Sequence, residues 1–440
     1  MGGIPSSGTG QRASRLAVWA WVLYDFANNA FSVSILSFFF PLWLGEELGA
    51  GAATFNYATA AGAFLVILAA PFLGAVADLR QRRKPYLILL TLIAVVLTVG
   101  FQFAGGVVVA VALFVAANFT YQSALVFYNA LLPAVSVGRG AGKVSGYGVA
   151  AGYVGSILAL ILFTFFVTDA ETVRSLLGPL GGWIETTGQR NSNTFLPTAI
   201  MYLLFSLPAF FFVPDPAVRN PRRVSPVTVY RDVYATIRNI RNYTGVGTFI
   251  IATALYTDAA NTAVANMALY GSKVFGMGSG DIRNLLLFSA VFAAVGSVGF
   301  GFATDRAGPK KTLLVVLGLW LVAIALAVVA VAPWMLLLAG PLVGIALGAT
   351  WTVSRVMLVA LSPPEKLGEF FGLFTLAQRL SAVTGPALVA LLINVFDGLG
   401  TGMAYRISIG SLIVILALGI FFLLRVPDAR PERKVREFSN

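Results

Sequence analysis

The chain has 440 residues, 58% of them hydrophobic and 11% charged, with a mean hydropathy of +0.85 and a net charge of +12. That composition is too apolar for a soluble domain and reads as a polytopic membrane protein whose solvent is the bilayer. Cysteine and histidine are both absent, which excludes disulfides and thiolate or imidazole metal ligation, so no metal site is expected and any proton coupling falls to carboxylates.

A span needs about 20 apolar residues to cross a core of ~30 Å. Twelve candidate spans lie near 17–45, 54–78, 85–104, 107–135, 143–168, 194–214, 244–271, 281–304, 311–331, 333–361, 367–396 and 402–425. Runs of this length without period-two alternation are helices rather than barrel strands, because backbone groups in lipid must pair within the segment. The first run follows two arginines like a signal peptide, but it is too long and holds Asp25; an uncleaved span is expected.

The basic residues decide against a nucleic-acid partner, since they gather on one side of the spans. They form an Arg80–Lys84 cluster, a linker group from Arg219 to Arg241, an Arg306–Lys311 cluster and a tail from Arg425 to Arg436, with Arg12, Arg15, Arg139, Lys143 and Lys366. Arg174, Arg190, Lys273, Arg283 and Arg406 fall on the opposite side, and Arg355 and Arg379 within spans. The positive-inside rule then sets both termini in the cytoplasm, of the inner (plasma) membrane in a bacterium. The chain divides into a cytoplasmic tail (1–16), six spans (17–214), a cytoplasmic linker (215–243), six further spans (244–425) and a cytoplasmic tail (426–440). In the linker, Ser225 and Pro226 read as a helix start, with Val229, Val233, Ile237 and Ile240 on one stripe. An amphipathic helix lying on the inner membrane face is expected.

The two sets of six repeat one another. YDFANNA at 24–30 aligns with TDAANTA at 257–263, matching Asp25 to Asp258 and Asn28 to Asn261. GAVADLRQRRK at 74–84 aligns with GFATDRAGPKK at 301–311, and GKVSGYG at 142–148 with GEFFGLF at 368–374. Three markers in one order point to an internal duplication. Six plus six spans related in this way bind solute between the halves, near the midplane.

The doubled GxxxD with a basic cluster resembles the loop motif of the major facilitator superfamily. Within it the chain is similar to the vacuole-effluxer-like (autophagy-related amino-acid effluxer) family and its bacterial relatives. The matching pieces are WVLYDFANNAF at 21–31, VFYNALLPAV at 126–135, FSLPAFFFVPD at 205–215, LYTDAANT at 255–262 and SRVMLVALSPPEKLGEFFGLF at 354–374. The resemblance implies a secondary transporter of the major facilitator fold, all-α with two pseudo-symmetric six-helix halves, and export of amino acids. It also implies that Asp78, Arg82 and Arg83, with Asp305, Arg306 and Lys310 in the second copy, gate rather than bind. Leu79 stands where the motif carries a basic residue, so the first-half gate is expected to be held less strongly.

Intramembrane carboxylates cost roughly 2.5 to 3.5 kcal/mol or more and mark solute or ion paths. Asp25, Asn28, Asn29 and Ser32 share one helical face, as do Asp258, Asn261, Thr262 and Asn266. Facing one another across the interface, they suit an ammonium group, a hydroxylated solute, an alkali cation or a proton. Arg355 is expected to pair with Asp25 when the cytoplasmic side is closed, while Arg379 is the candidate for a substrate carboxylate. Asn118, Gln122 and Asn129 form a further amide face, and Trp351 is positioned to stack on solute. Gly146, Gly148, Gly152 and Gly155 in the fifth span read as a surface on which the halves rock.

With no nucleophile elbow or phosphate loop, the chain is not expected to be an enzyme, and no cofactor is called for. A carrier for a small polar, amino-acid-like solute, with protons as the candidate coupling ion, fits best. A monomer is expected, with the lipid bilayer as its surroundings. A drug or lipid exporter of the same fold, a channel, or a non-transporting membrane scaffold or sensor are the alternatives.

Overall fold

A computed structural model describes residues 13–215 and 225–429. Arg12, Arg219, Arg222, Arg223, Arg430, Arg433, Lys434 and Arg436 lie outside the described residues. Those described are almost wholly helical, with no strand. Twelve long helices cross in sequence: α1 (Arg15–Glu47), α2 (Ala52–Arg80), α3 (Lys84–Gly100), α4 (Val107–Ala130), α5 (Ala141–Thr168) and α6 (Phe195–Phe212). The second set is α7 (Val246–Phe275), α8 (Ser279–Ala307), α9 (Pro309–Val329), α10 (Pro333–Leu361), α11 (Leu367–Val395) and α12 (Thr401–Leu424). An even number of crossings returns both ends to one face, called here the terminus face.

Eleven helices are both long and apolar enough to span a membrane. The remaining one, α7, is long enough at 30 residues but carries Thr253, Thr257, Asp258, Asn261, Thr262 and Asn266. It is shielded by packing on α12 and α11, so its polar face meets protein rather than acyl chains. In α1, Pro41 donates no amide bond and crowds the carbonyl four residues back. The helix absorbs this by widening to a π-helix over Ser32–Phe38, directly after the polar face that begins at Asp25.

Across the halves α5 also touches α10 and α4 touches α11, but the two main junctions are α2 along α11 and α5 along α8. Both contacts are made through glycine. A Cβ on Gly74 would collide with the Gly368 carbonyl, one on Gly372 with that of Ala70, and one on Gly142 with that of Gly301. The crossings are therefore backbone on backbone, at the terminus-proximal ends of the four helices. Toward the far face the same helices present exposed side chains, such as Tyr57 on α2, Leu158 on α5, Leu286 on α8 and Leu391 on α11. Among the described residues, every hydrogen bond and ion pair between the halves lies at the terminus-proximal end or near mid-span.

The fifth-span glycines divide between two duties. Gly142 and Gly146 face α8 of the other half, but Gly148, Gly152 and Gly155 face α1 of their own half. A Cβ on Gly148 would come within 2.6 Å of the Trp21 ring and 2.9 Å of the Asp25 carboxylate. Only part of that stripe lies between the halves; the rest lets α1 of the same half pack closely.

The linker helix (Pro226–Arg238) is capped by the Ser225 hydroxyl, which accepts from the Thr228 amide at 3.2 Å. Rather than lying free on the membrane face, it docks on α2: Val229 and Val233 are buried against Phe72, Ala75, Val76 and Leu79. Ile237, expected on the same stripe, stays exposed, because the docked face turns through Thr236 instead.

Gly74→Val puts a branched side chain against the Gly368 carbonyl, and overpacking of this kind costs typically about 1–3 kcal/mol. The expected outcome is a lower melting temperature in detergent together with faster thiol labelling of a cysteine placed at Ser145; unchanged values of both would show that the α2–α11 crossing does not depend on close approach.

Candidate functional site at the junction of the halves

Asp25 is wholly buried in α1, and Arg355 of α10 reaches it from the opposite half, Nη1 to Oδ2 at 2.8 Å. The other oxygen accepts from the Asn29 side chain at 3.2 Å, one turn along the same helix. Tyr128 supports the pair from α4. Its ring stacks on Trp21 with centroids 4.4 Å apart, and the Arg355 guanidinium lies 5.7 Å from its centroid. The Trp21 indole N–H donates to the Tyr128 carbonyl and the Tyr128 hydroxyl to the Trp21 carbonyl, both at 3.2 Å. A buried pair of this kind is costly to break from one side only, because the survivor is left charged in a low dielectric.

Asp258 holds the equivalent position in the second half but has quite different partners. Its Oδ1 accepts from the Thr384 hydroxyl at 3.1 Å and from the Gly385 amide at 2.8 Å, both on α11 of its own half. Pro386 follows directly inside α11, so the helix is already interrupted where the Gly385 N–H turns out to Asp258. A Cβ on Gly385 would overlap the Thr262 hydroxyl and lie 2.6 Å from the Asp258 carboxylate. The two acids thus do not face each other as mirror images: Asp25 is spent on a cross-half ion pair, and Asp258 is held by neutral donors.

Near mid-span, Arg379 of α11 donates through Nη2 to the Gln122 side chain of α4, a second cross-half contact. Gln122 in turn donates to Asn118 at 3.4 Å. The Arg379 Nε is buried without a hydrogen-bond partner, as are Asn28 Oδ1, Asn129 Oδ1 and Thr262 Oγ1. Asn129 lies at the terminus-proximal end of α4 beside Ala130, away from Gln122, and joins no other site residue. Asn266 is satisfied by its own helix, donating to the Thr262 carbonyl at 2.9 Å. Asn261 and Trp351 are half-buried.

The terminus-proximal closure is built from two matching caps. Asp78, ending α2, accepts the Gly368 and Glu369 amides of α11 at 3.0 and 2.8 Å; Asp305, ending α8, accepts the Gly142 and Lys143 amides of α5 at 2.7 and 3.0 Å. Each carboxylate satisfies orphan donors at a helix N-terminus and faces the positive end of its dipole. Arg83 ties the first cap, bonding Asp78 at 3.1 Å, the Ala130 carbonyl at 3.0 Å and, across the halves, the Pro364 carbonyl at 3.1 Å. Arg82 and Arg306 are exposed instead, and Lys310 bonds the Leu424 carbonyl at 2.9 Å. The first cap is no looser than the second: Leu79, in place of a basic residue, packs beneath the linker helix.

Sequence reasoning missed the Ser145 hydroxyl, which bonds the Thr352 carbonyl across the halves at 2.9 Å. It also missed Thr384 and Gly385, for which a Gly–Pro pair inside an apolar run was the available signal.

Twelve helices in two pseudo-symmetric halves, joined by capped helix ends around buried charges, define a major facilitator transporter: an integral membrane protein that carries solute and is not an enzyme. A family model described as vacuole effluxer Atg22 like matches residues 50–139 and 136–436, and the chain belongs to that family. The uncharacterized MFS-type transporter YxiO of Bacillus subtilis is 25% identical, over 93% of this chain and 94% of its own. Autophagy-related protein 22 of Yarrowia lipolytica is 24% identical over 67% of this chain and 52% of its own. Multidrug resistance protein MdtG of Salmonella typhimurium is 26% identical over 49% of this chain and 53% of its own. Among solved structures, the human organic anion transporter MFSD10 superposes with a TM-score of 0.69 at 14% identity, covering 92% of this chain and 98% of its own. The transporter FucP in its outward conformation gives 0.68 at 13%, covering 94% and 98%.

Asp25→Asn and Arg355→Gln, each alone, strand one buried charge or polar group and are expected to cost about 3–5 kcal/mol. The double variant removes both charges and is expected to recover most of that loss, read as melting temperature in detergent. Additive losses in the double variant would mean that the two side chains are not coupled.

Proposed function

We propose that this chain is an alternating-access carrier for zwitterionic, amino-acid-like solutes, acting as a monomer with both termini in the cytoplasm and exporting its solute at the expense of protons. One observation carries the reading: among the described residues, Asp258 and Arg379 have no oppositely charged partner within 4 Å. Both belong to the α7–α11 wall. Arg379 and the Gly385 amide that holds Asp258 are six residues apart on α11, a rise of about 9 Å. That axial offset supports a reading in which a zwitterion is held with one charge-assisted hydrogen bond at each end.

In this reading the guanidinium of Arg379 takes the solute carboxylate, exchanging Gln122 for it, and the Asp258 carboxylate takes the ammonium group. Asp258 is buried and its neighbour Thr384 exposed; in this reading water reaches the acid past Thr384, and a proton and an amine compete for the same oxygen. Trp351 and Asn261 would flank the solute. The Asp25–Arg355 pair and the Asp78 and Asp305 caps hold the cytoplasmic side shut, a state whose cleft faces outward, to the periplasm in a bacterium; they separate when the cytoplasmic side opens.

The likeness to MdtG over half the chain favours a second reading, efflux of apolar drugs. The two readings part on charge, since an apolar drug needs neither Asp258 nor Arg379. In proteoliposomes, Arg379→Gln and Asp258→Asn are each expected to reduce amino-acid counterflow at least tenfold, the loss of about one charged hydrogen bond. Asp258→Asn should also abolish the pH dependence of net flux. Full drug transport by both variants, with no stabilisation of the parent protein by any amino acid in a thermal-shift panel, would replace the first reading with the second.

A further inference from the structure

The linker helix does more than connect the halves, because it touches both sides of the closure at once. Its buried face rests on α2 of the first half through Val229 and Val233, with Tyr230 stacked on Phe72 at 6.1 Å. Its far end reaches the second half: Thr236, buried, accepts a hydrogen bond from Lys366 in the turn that leads into α11. Lys366 also pairs with Glu369 at 3.2 Å and lies 5.7 Å from the centroid of the Tyr243 ring. Glu369 is the residue whose amide Asp78 caps. The linker helix is therefore seated on the same turn of α11 that the first cap secures.

The flank of this helix beside the docked face is largely uncovered, with only the edge residue Tyr230 also touching α2, and carries a second pattern. Val227, Tyr230, Tyr234 and Ile237 recur at spacings of three, four and three and are all exposed, forming a stripe at helical period. Arg231, Arg238 and Arg241, also exposed, run beside it, with Asp232 the only acid between residues 225 and 243. A helix packed against the last turns of a span sits at the level where headgroups meet acyl chains. An apolar stripe with arginines along its border, at that depth, matches anionic lipid.

We propose that the outer face of the linker helix binds the anionic phospholipid surface of the terminus-side leaflet, and that this binding keeps Thr236 seated on Lys366 and so favours closure of that end. Basic side chains drawn to a negative surface press the helix onto α2, whereas a neutral leaflet leaves it free to lift from Lys366. The coupling runs through contacts with both halves and does not depend on what the carrier moves.

The chain has no native cysteine, so single labels read one position without background. A cysteine at Tyr234 carrying an environment-sensitive fluorophore is expected to shift to the blue in phosphatidylcholine vesicles containing phosphatidylglycerol, relative to phosphatidylcholine alone. A cysteine at Ser145, under the closed end, should label several-fold more slowly in the anionic vesicles. Combined Arg231→Gln, Arg238→Gln and Arg241→Gln should remove both effects, while Thr236→Val should keep the fluorescence shift and lose the protection of Ser145→Cys. Identical spectra in the two vesicle types, or a lipid dependence that survives loss of the three arginines, would overturn the proposal. Protection that persists unchanged in Thr236→Val would overturn the coupling. A spectrum that shifts only on adding a soluble acidic protein would assign the face to that partner instead.

Discussion

Two carboxylates, each ending one helix and accepting the first free amides of a helix in the other half, are the constraint on which this closed end depends. Helix N-termini cannot satisfy their own amides, and at the packed junction Gly368, Glu369 and Gly142 are buried, so their amides need a protein acceptor. Asp78, capping α11, and Asp305, capping α5, resolve it by joining the halves, so closure and hydrogen-bond satisfaction become a single event. Glycine at Gly74, Gly368, Gly142 and Gly301 is the condition for it, since any side chain there would hold the helix ends out of reach. The Asp25–Arg355 pair is roofed by this seal and would be untenable without it.

The duplication is exact in the caps and has drifted in the centre. Both caps retain two amide bonds of similar length, whereas the duplicated acids Asp25 and Asp258 have diverged to an ion pair and a set of neutral donors. That divergence separates two tasks. The first-half acid works with its neighbours in Trp21 and Tyr128 to hold a charge across the interface. The second-half acid is held by neutral donors and has no counter-charge within 4 Å among the described residues.

The twelve spans, the two halves and the loop carboxylates were legible in the sequence because length, hydropathy and repetition report directly on a membrane fold. The meeting of Asp25 with Arg355 was legible for a similar reason: two opposite charges at comparable depth in oil have few alternatives. What was not legible depended on rotation about the helix axes. Spacing placed Gly148 and Gly152 on one stripe with Gly146, yet only the packed structure shows α1 lying over the first two and α8 over the last. Arg82 and Arg83 are adjacent in sequence, and nothing in either side chain decides which turns inward. Asp258 was visible as a buried acid, but its hold by Gly385 required knowing that the Gly385 amide, just before Pro386, turns to α7. The linker stripe was read correctly as amphipathic, while its docking on α2 came from a tertiary neighbour that periodicity does not name.

The linkage of Asp25 to Arg355 carries a consequence for how this end can open. The two charges sit on opposite halves, so separation leaves both without a counterion in a medium that solvates neither. Hydration must therefore advance with the parting helices, wetting the seam ahead of any cargo. Opening on that side is a flooding front whose speed is set by how readily water threads past Tyr128 and Trp21.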